Sequence, residues 1–388
     1  WLNMKKKYKI ICMTGTRADY PRIKPVLKIL GEKKNIDLKL FVTGQHVEKK
    51  FGLTINEIKK DKFKIFRKAK IFSDDDSISG MNAAFNKCYI AFSNSLKKYK
   101  PDLVLLTVDR IETIACSSAA LTLNYPIAHV QGGEVTGTMD ETLRHCVTKM
   151  SNVHFVANKD AYNRLLSLGE NPKNIFDYGC PYAEEISKKK LLNKKDILKY
   201  LKLSETDNYI LFVQHPVTTE IKTNFKNYKV TVDVLKKLKN LRVITLFSNA
   251  DAGGQKINEY IKKNNNFINF SNLNEKYFLS IMKYAKFMIG NSSAGIREAP
   301  TFKIPVINIG TRQSGRLRSK NIIDCNYSKK SIENSIFMVL NDKKFKIQNN
   351  KCKNLYQSKN TSKKIVLEIL RQIKKRINIQ KKFYDKKK

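Results

Sequence analysis

Residues able to bind anions or move protons stand at the ends of short apolar runs in this chain. Ser292 and Ser293 lie in Gly290-Asn291-Ser292-Ser293-Ala294-Gly295, after the apolar Lys286–Ile289 and before a helix-forming stretch carrying Arg297 and Glu298. Such a turn leaves backbone N–H groups at a helix start, where they and the helix dipole favour negative charge. The two hydroxyls suit phosphate oxygens, and Glu298 suits a sugar's paired hydroxyls. The plainer alternative is a capped helix whose serines bind only backbone. Arg17 follows the apolar Tyr8–Met13 in Thr14-Gly15-Thr16-Arg17, placed to meet a phosphate or to sit exposed in a turn. His215 ends the run Tyr209–Val213 and could hydrogen-bond a diphosphate, although a lone histidine is more often structural.

Acidic residues gather at two further run ends. Asp109, Arg110 and Glu112 follow the buried-type run Leu103–Leu106, either as functional groups or as a surface ion pair. Pro126–Val130 leads into Gln131-Gly132-Gly133-Glu134-Val135-Thr136-Gly137-Thr138-Met139-Asp140-Glu141. A loop with three glycines and three carboxylates builds no core; it suits close approach of backbone and acids to a small molecule.

The elements that must position these groups alternate. Strands are predicted at 8–13, 38–42, 103–106, 126–130 and 153–156, with helices following Ile23 and from Ser77 to Lys98, and another from Thr142 carrying Arg144, His145 and Lys149. The alternation restarts after Gly179-Cys180-Pro181, which reads as a hinge. Helices are predicted at 195–202, 230–238 and 275–282, and strands at 209–213, 242–246 (ending in Ser248-Asn249-Ala250-Asp251), 286–289 and 306–309, the last leading into Gly310-Thr311-Arg312. Successive βα repeats with polar strand ends predict an α/β chain of two Rossmann-like domains facing across a cleft. The expected division is residues 1–180, residues 181–361, and a terminal helix and basic tail at 362–388. The amphipathic spacing of Ile365, Val366, Ile369, Leu370 and Ile373 predicts that the terminal helix packs onto a domain, and Lys374–Arg376 and Lys386–Lys388 read as a solvated tail.

Composition narrows the class. The 388 residues carry a formal charge of +41, with lysine spread through the whole length. This favours a general compositional bias over a single basic face, and no aromatic-studded basic motif points to nucleic acid. Seven scattered cysteines without CxxC or Cys/His spacing read as reduced core thiols. Lys5-Lys6-Lys7 leads into a strand and not a leader, and no apolar run approaches the ~20 residues of a membrane span. A cytoplasmic protein with no membrane or nucleic-acid partner is expected. Trp1-Leu2-Asn3 reads as preceding a natural start at Met4.

Four motifs then converge. GTRADY (15–20), HPVTTE (215–220), GNSSAGIREAP (290–300) and GTRQSGR (310–316) resemble the hydrolysing UDP-N-acetylglucosamine 2-epimerases, especially the bacterial sialic acid branch. The segment 129–151 resembles that family's HIEGGExSGTxDxSxRHxxxKLS. A sister group acting on nucleotide-linked N,N'-diacetylbacillosamine shares these motifs, so both substrates stay open, as does a binding-only homologue or a GT-B glycosyltransferase. The resemblance implies a GT-B-like fold, a dimer, a nucleotide-sugar ligand, and neither metal nor nicotinamide cofactor. It implies elimination of UDP and then hydration that inverts C2, yielding N-acetylmannosamine. Arg17, His215, Ser292, Ser293 and Arg312 would take the diphosphate, with Asn249 at the same site, and Glu298 the ribose. Asp109 and Asp140, with Arg110 beside them, match the family's acidic positions. Gln131 replaces the family's third acid, and a glutamine carries no proton. Thr107-Val108 replaces the His-Gly before Asp109. Because a β-branched residue resists positive φ, a displaced Asp109 is expected.

Overall fold

The structure, a computed structural model, describes residues 7–17, 19–73, 75, 78–249, 251 and 253–385. Trp1–Asn3 and Met4, Ser77, Ala250 and Lys386–Lys388 lie outside them. The chain divides into two compact units, one of residues 1–134, 140–185 and 356–388, the other of 135–139 and 186–355.

Among the described residues the first unit holds seven strands: β1 (Tyr8–Thr14), β2 (Ile36–Val42), β3 (Ile65–Lys68), β4 (Leu103–Thr107), β5 (Ile127–Val130), β6 (Val153–Val156) and β7 (Ile175–Asp177). All pair in parallel in the order β3-β2-β1-β4-β5-β6-β7. Alternation along β1 sends Ile10 and Cys12 to one face and Ile11 and Met13 to the other. The first pair packs with helices Tyr20–Gly31 and Thr361–Lys374, the second with Ile78–Tyr99 and Ile111–Thr122. Burial on both faces explains why β1 and β4 read as near-continuous apolar runs.

The C-terminal helix is part of the first unit. Ile365, Val366, Ile369 and Ile373 are buried in its core, each such side chain stabilising by roughly 1.5–3 kcal/mol. The tail beyond it is partly docked. Lys374 to Arg376 are exposed, but the Lys381 ammonium donates to the Ser151 carbonyl at 2.6 Å and pairs with the buried Glu170 at 2.7 Å. The Gly179–Pro181 stretch is anchored: Gly179 N–H donates to the Val156 carbonyl, and Cys180 N–H to that of Tyr356. Beyond it, the chain passes to the second unit within helix Pro181–Lys188, at 185/186.

The second unit has six strands among the described residues: β8 (Tyr209–Val213), β9 (Arg242–Leu246), β10 (Ile268–Phe270), β11 (Met288–Gly290), β12 (Val306–Ile309) and β13 (Ile322–Cys325). They run parallel in the order β10-β9-β8-β11-β12-β13. Helices Asn224–Leu235, Gly254–Lys263 and Lys329–Asn341 cover one face, and Lys194–Leu201 and Glu275–Tyr284 the other. Strand order reverses at β1/β4 and at β8/β11, the places where an open α/β sheet leaves a crevice beyond its carboxyl ends. All seven cysteines are free thiols; Cys146 is exposed and Cys325 half-buried, the rest buried.

Candidate functional site

In the first unit the β1 turn is built on Asp19. Its buried carboxylate accepts from Gly15 N–H at 3.0 Å, from Thr16 N–H at 2.9 Å and from the Thr14 hydroxyl. Burial pushes its pKa up to about 6 against the pull of these donors. Thr14 Oγ1 lies 3.0 Å from Nε2 of the buried His46, whose Nδ1 lies 2.7 Å from Thr54 Oγ1. The turn carries Arg17 half-buried; burial pulls its pKa down, and the Glu57 carboxylate opposes this.

Across the β1/β4 reversal, β4 ends and Val108 turns the chain at φ +59. The expected obstacle at this position is overcome by the surroundings. Val108 N–H donates to the Val130 carbonyl at 3.2 Å, and the Val108 carbonyl accepts from His129 Nε2 at 2.9 Å. With both peptide groups tied, the left-handed conformation is held, and Asp109 is fixed by a direct ion pair with Arg144. Arg110 follows as the N-cap of helix Ile111–Thr122.

Arg144 is almost wholly buried on helix Asp140–Met150, and also donates to the Glu134 carbonyl at 2.6 Å and toward Glu141 at 3.4 Å. Burial acts to lower its pKa, but the Asp109 and Glu134 carboxylates outweigh this and raise it. Asp140 opens the same helix, two residues earlier than the sequence pattern placed its start, and its charge also acts on Arg144. Gln131, beyond β5, is buried at φ +67; its amide donates to Cys180 Sγ at 3.1 Å and its N–H to the Phe155 carbonyl at 2.7 Å.

In the second unit four strand ends converge. His215, past β8, accepts through Nδ1 from Asn249 N–H, past β9, at 3.1 Å. The Asn249 side chain donates to Asp251, and Asp251 lies 3.7 Å from the Arg312 guanidinium, past β12. Arg312 donates to the Asn291 carbonyl, past β11, at 3.4 Å. Ser292 caps the short helix Ser293–Arg297 by accepting from Ala294 N–H at 3.3 Å, and an accepting hydroxyl keeps its hydrogen to donate. Glu298 is buried where that helix ends, in a segment tied down by Asn354, which donates to the Arg297 carbonyl and to Thr301 Oγ1, both at 2.7 Å.

Of the candidates read from sequence, His215, Asn249 and Arg312 are linked through Asp251 and Asn291 at the second reversal. Asp109 and Asp140 both act on Arg144 in the first unit, while Arg17, Arg110, Gln131, Ser292, Ser293 and Glu298 lie past the ends of β1, β4, β5 and β11. Five contributors lie outside the sequence candidates: Arg144, Asp19, Asn291, Asp251 and His129. The spacing puts Arg144 on its helix, yet nothing in it tells that Arg144 meets Asp109 from a different strand end. Asp19 and Asn291 sit inside quoted motifs, so their positions carried a signal. Among the described residues no group of three or more His, Cys, Asp or Glu side chains is set to hold a metal.

The family model for UDP-N-acetylglucosamine 2-epimerase matches residues 28–370. The chain is 40% identical over 328 residues to the Campylobacter jejuni GDP/UDP-N,N'-diacetylbacillosamine 2-epimerase (hydrolyzing), covering 82% of this chain and 84% of that relative. It is 34% identical over 330 residues to a Neisseria meningitidis UDP-N-acetylglucosamine 2-epimerase, covering 84% and 86%. A crystal structure of a UDP-GlcNAc 2-epimerase from Neisseria meningitidis bound to UDP-GlcNAc superposes with a TM-score of 0.81 at 20% identity, covering 94% of this chain and 100% of that one. The fold is thus the α/β, GT-B-like one expected, and the chain belongs to the UDP-N-acetylglucosamine 2-epimerase family.

Proposed function

We propose that this enzyme is a hydrolysing nucleotide-sugar 2-epimerase that converts UDP-N-acetylglucosamine and water into UDP and N-acetylmannosamine, for sialic acid-type sugar synthesis. In the first step a base takes the C2 proton and the C1–O bond breaks, releasing UDP and leaving a 2-acetamidoglucal. In the second, water adds its oxygen to C1 and a proton returns to C2 from the opposite face. Roles follow from the groups at hand. Arg17, His215, Ser292, Ser293 and Arg312 stabilise the departing diphosphate, where preorganised donors count most. Asn249 orients His215, and Glu298 accepts from the ribose hydroxyls. Asp109 and Asp140 handle the C2 proton and water, with Arg110 beside them and Arg144 holding Asp109. Gln131 contributes hydrogen bonds to the sugar and no proton. A homodimer in the cytoplasm, using no metal or nicotinamide, belongs to the same reading.

The observation that carries this proposal is the linked set His215–Asn249–Asp251–Arg312–Asn291 at the β8/β11 reversal, within a chain of this family. A second reading, the same chemistry on UDP- or GDP-linked N,N'-diacetylbacillosamine, is favoured by the 40% identity to a relative named for that activity. Proton NMR of the anomeric region separates them. Incubation with each nucleotide sugar is expected to give free UDP and N-acetylmannosamine from UDP-N-acetylglucosamine. Turnover of the bacillosamine nucleotides alone selects the second reading, and no nucleotide release from either defeats both.

A further inference from the structure

We propose that Asn291 is a positioning residue that sets both His215 and Arg312 at the diphosphate site; the assignment of that site rests on the nucleotide-sugar reading above. β8 and β11 pair in parallel up to Gly290 opposite Val213, and Asn291 N–H donates to the Val213 carbonyl at 3.1 Å. The Asn291 carboxamide then carries the pairing past the end of the ladder. Its Oδ1 accepts from His215 N–H at 2.7 Å, and its Nδ2 donates to the His215 carbonyl at 2.8 Å. A side chain here takes the place of a strand's peptide group. The carboxamide offers a donor and an acceptor side by side; a carboxylate lacks the donor and a hydroxyl cannot span both. Asn291 is fully buried, so water does not substitute. Close approach depends on Gly290, at φ +127, where a Cβ would lie 2.1 Å from the Val213 carbonyl oxygen.

The clasp has two consequences. With its backbone fixed, His215 presents Nδ1 to Asn249 N–H, and a donor at Nδ1 puts the neutral ring's proton on Nε2. The Asn291 main-chain carbonyl also accepts from Gln313 Nε2 at 2.9 Å and from Arg312 Nη1 at 3.4 Å. One buried residue thereby fixes an imidazole tautomer and the placement of a guanidinium, on the two sides of the strand-order reversal.

The test combines a spectrum and a cycle. In ligand-free, 15N-labelled protein, the His215 ring is expected to be protonated at Nε2 and bare at Nδ1. Asn291→Asp keeps the shape and the acceptor but loses the donor; it is expected to shift the His215 ring signals to a tautomer mixture. By calorimetry the same substitution is expected to weaken UDP binding roughly tenfold, and by no more than about twofold in a His215→Ala, Arg312→Ala background. Unmoved ring signals, or an equal loss of affinity in both backgrounds, overturn the proposal. Should Asn291→Asp fail to fold, the parent spectrum decides, and protonation at Nδ1 overturns it. A parent that turns over no nucleotide sugar, yet shows the tautomer and the coupled UDP binding, defeats the reaction reading and leaves this one standing.

Discussion

His129 donates through Nε2 to the Val108 carbonyl at 2.9 Å, holding a β-branched residue at φ +59 immediately before Asp109. Burial drops the His129 pKa to about 3, with the Val108 carbonyl opposing the drop, so the ring is neutral in the working pH range. The strain of a left-handed Val is roughly 1–3 kcal/mol and is borne by this buried contact. Val108→Gly removes that strain, but forfeits roughly 1.5–3 kcal/mol of side-chain burial and adds about 0.5–1 kcal/mol of chain entropy. The expected net is a loss of about 1 kcal/mol, and no more than about 3, with UDP release unchanged, checked by urea unfolding and a coupled assay. Loss of UDP release in a folded variant would show that Val108 does more than shape the turn.

That contact also marks where sequence reasoning stopped. Local preference argued that Val108 would displace Asp109, because φ propensity is read one residue at a time. The restraint comes from His129 and Val130 on β5, a different strand. Doubly buried strands such as β4 and β8 were legible as apolar runs, and their polar ends located most candidates. The edge strands β3, β7, β10 and β13 are not legible in the sequence, being short and only partly buried. Helix Ile111–Thr122 escaped because its Ser, Thr and Ala residues give little amphipathic contrast. The grouping of residues 135–139 with the second unit has no local signature either. It depends on long-range bonds such as Gly137 N–H to the Arg312 carbonyl at 3.2 Å.

Arg144 and Asp109 form a pair with one member buried and the other largely so. Removing the cation takes away the charge that Arg144 sets beside the Asp109 carboxylate, a change that typically costs about 3–5 kcal/mol for buried pairs. Arg144→Met, which keeps the apolar stem, is therefore expected to destabilise by about 3 kcal/mol and to lower UDP release more than nucleotide affinity. Thermal unfolding and a comparison of kcat with KM check this. A stable variant with normal kcat would remove Arg144 from the site.

Asp19 makes a prediction about pH. Its folded pKa of about 6 lies above the ordinary 3.8, so the native state holds the proton more tightly than the unfolded chain. Its contribution to stability is present in acid and is lost as pH rises from about 4 through 6. Two units correspond to about 3 kcal/mol. Asp19→Asn, which does not ionise, is expected to gain up to that amount over the parent at pH 7.5 and to lose the advantage near pH 4. Comparing the two proteins cancels the opposite trend from His46 and His129, which are buried neutral and destabilise the fold below about pH 6.5. A difference in urea midpoint that does not change with pH would show that Asp19 is ionised throughout.

Gln131 is the sharpest chemical test, because it occupies the place of an acid in the motif the chain otherwise follows. Its amide donates to Cys180 Sγ at 3.1 Å in a buried site, where a carboxylate would accept from the thiol instead. Gln131→Glu adds a group able to accept and return a proton, and such a group is worth roughly 10²–10⁴-fold in rate. The variant is expected to release UDP at least about 10²-fold faster than the parent, with a new pH-dependent limb, at some loss of stability from burying a carboxylate. Steady-state UDP release across pH 5–9 measures both. An equal or slower rate in a folded variant would mean that Asp109 and Asp140 move every proton the reaction needs, so the glutamine serves only to hold the sugar.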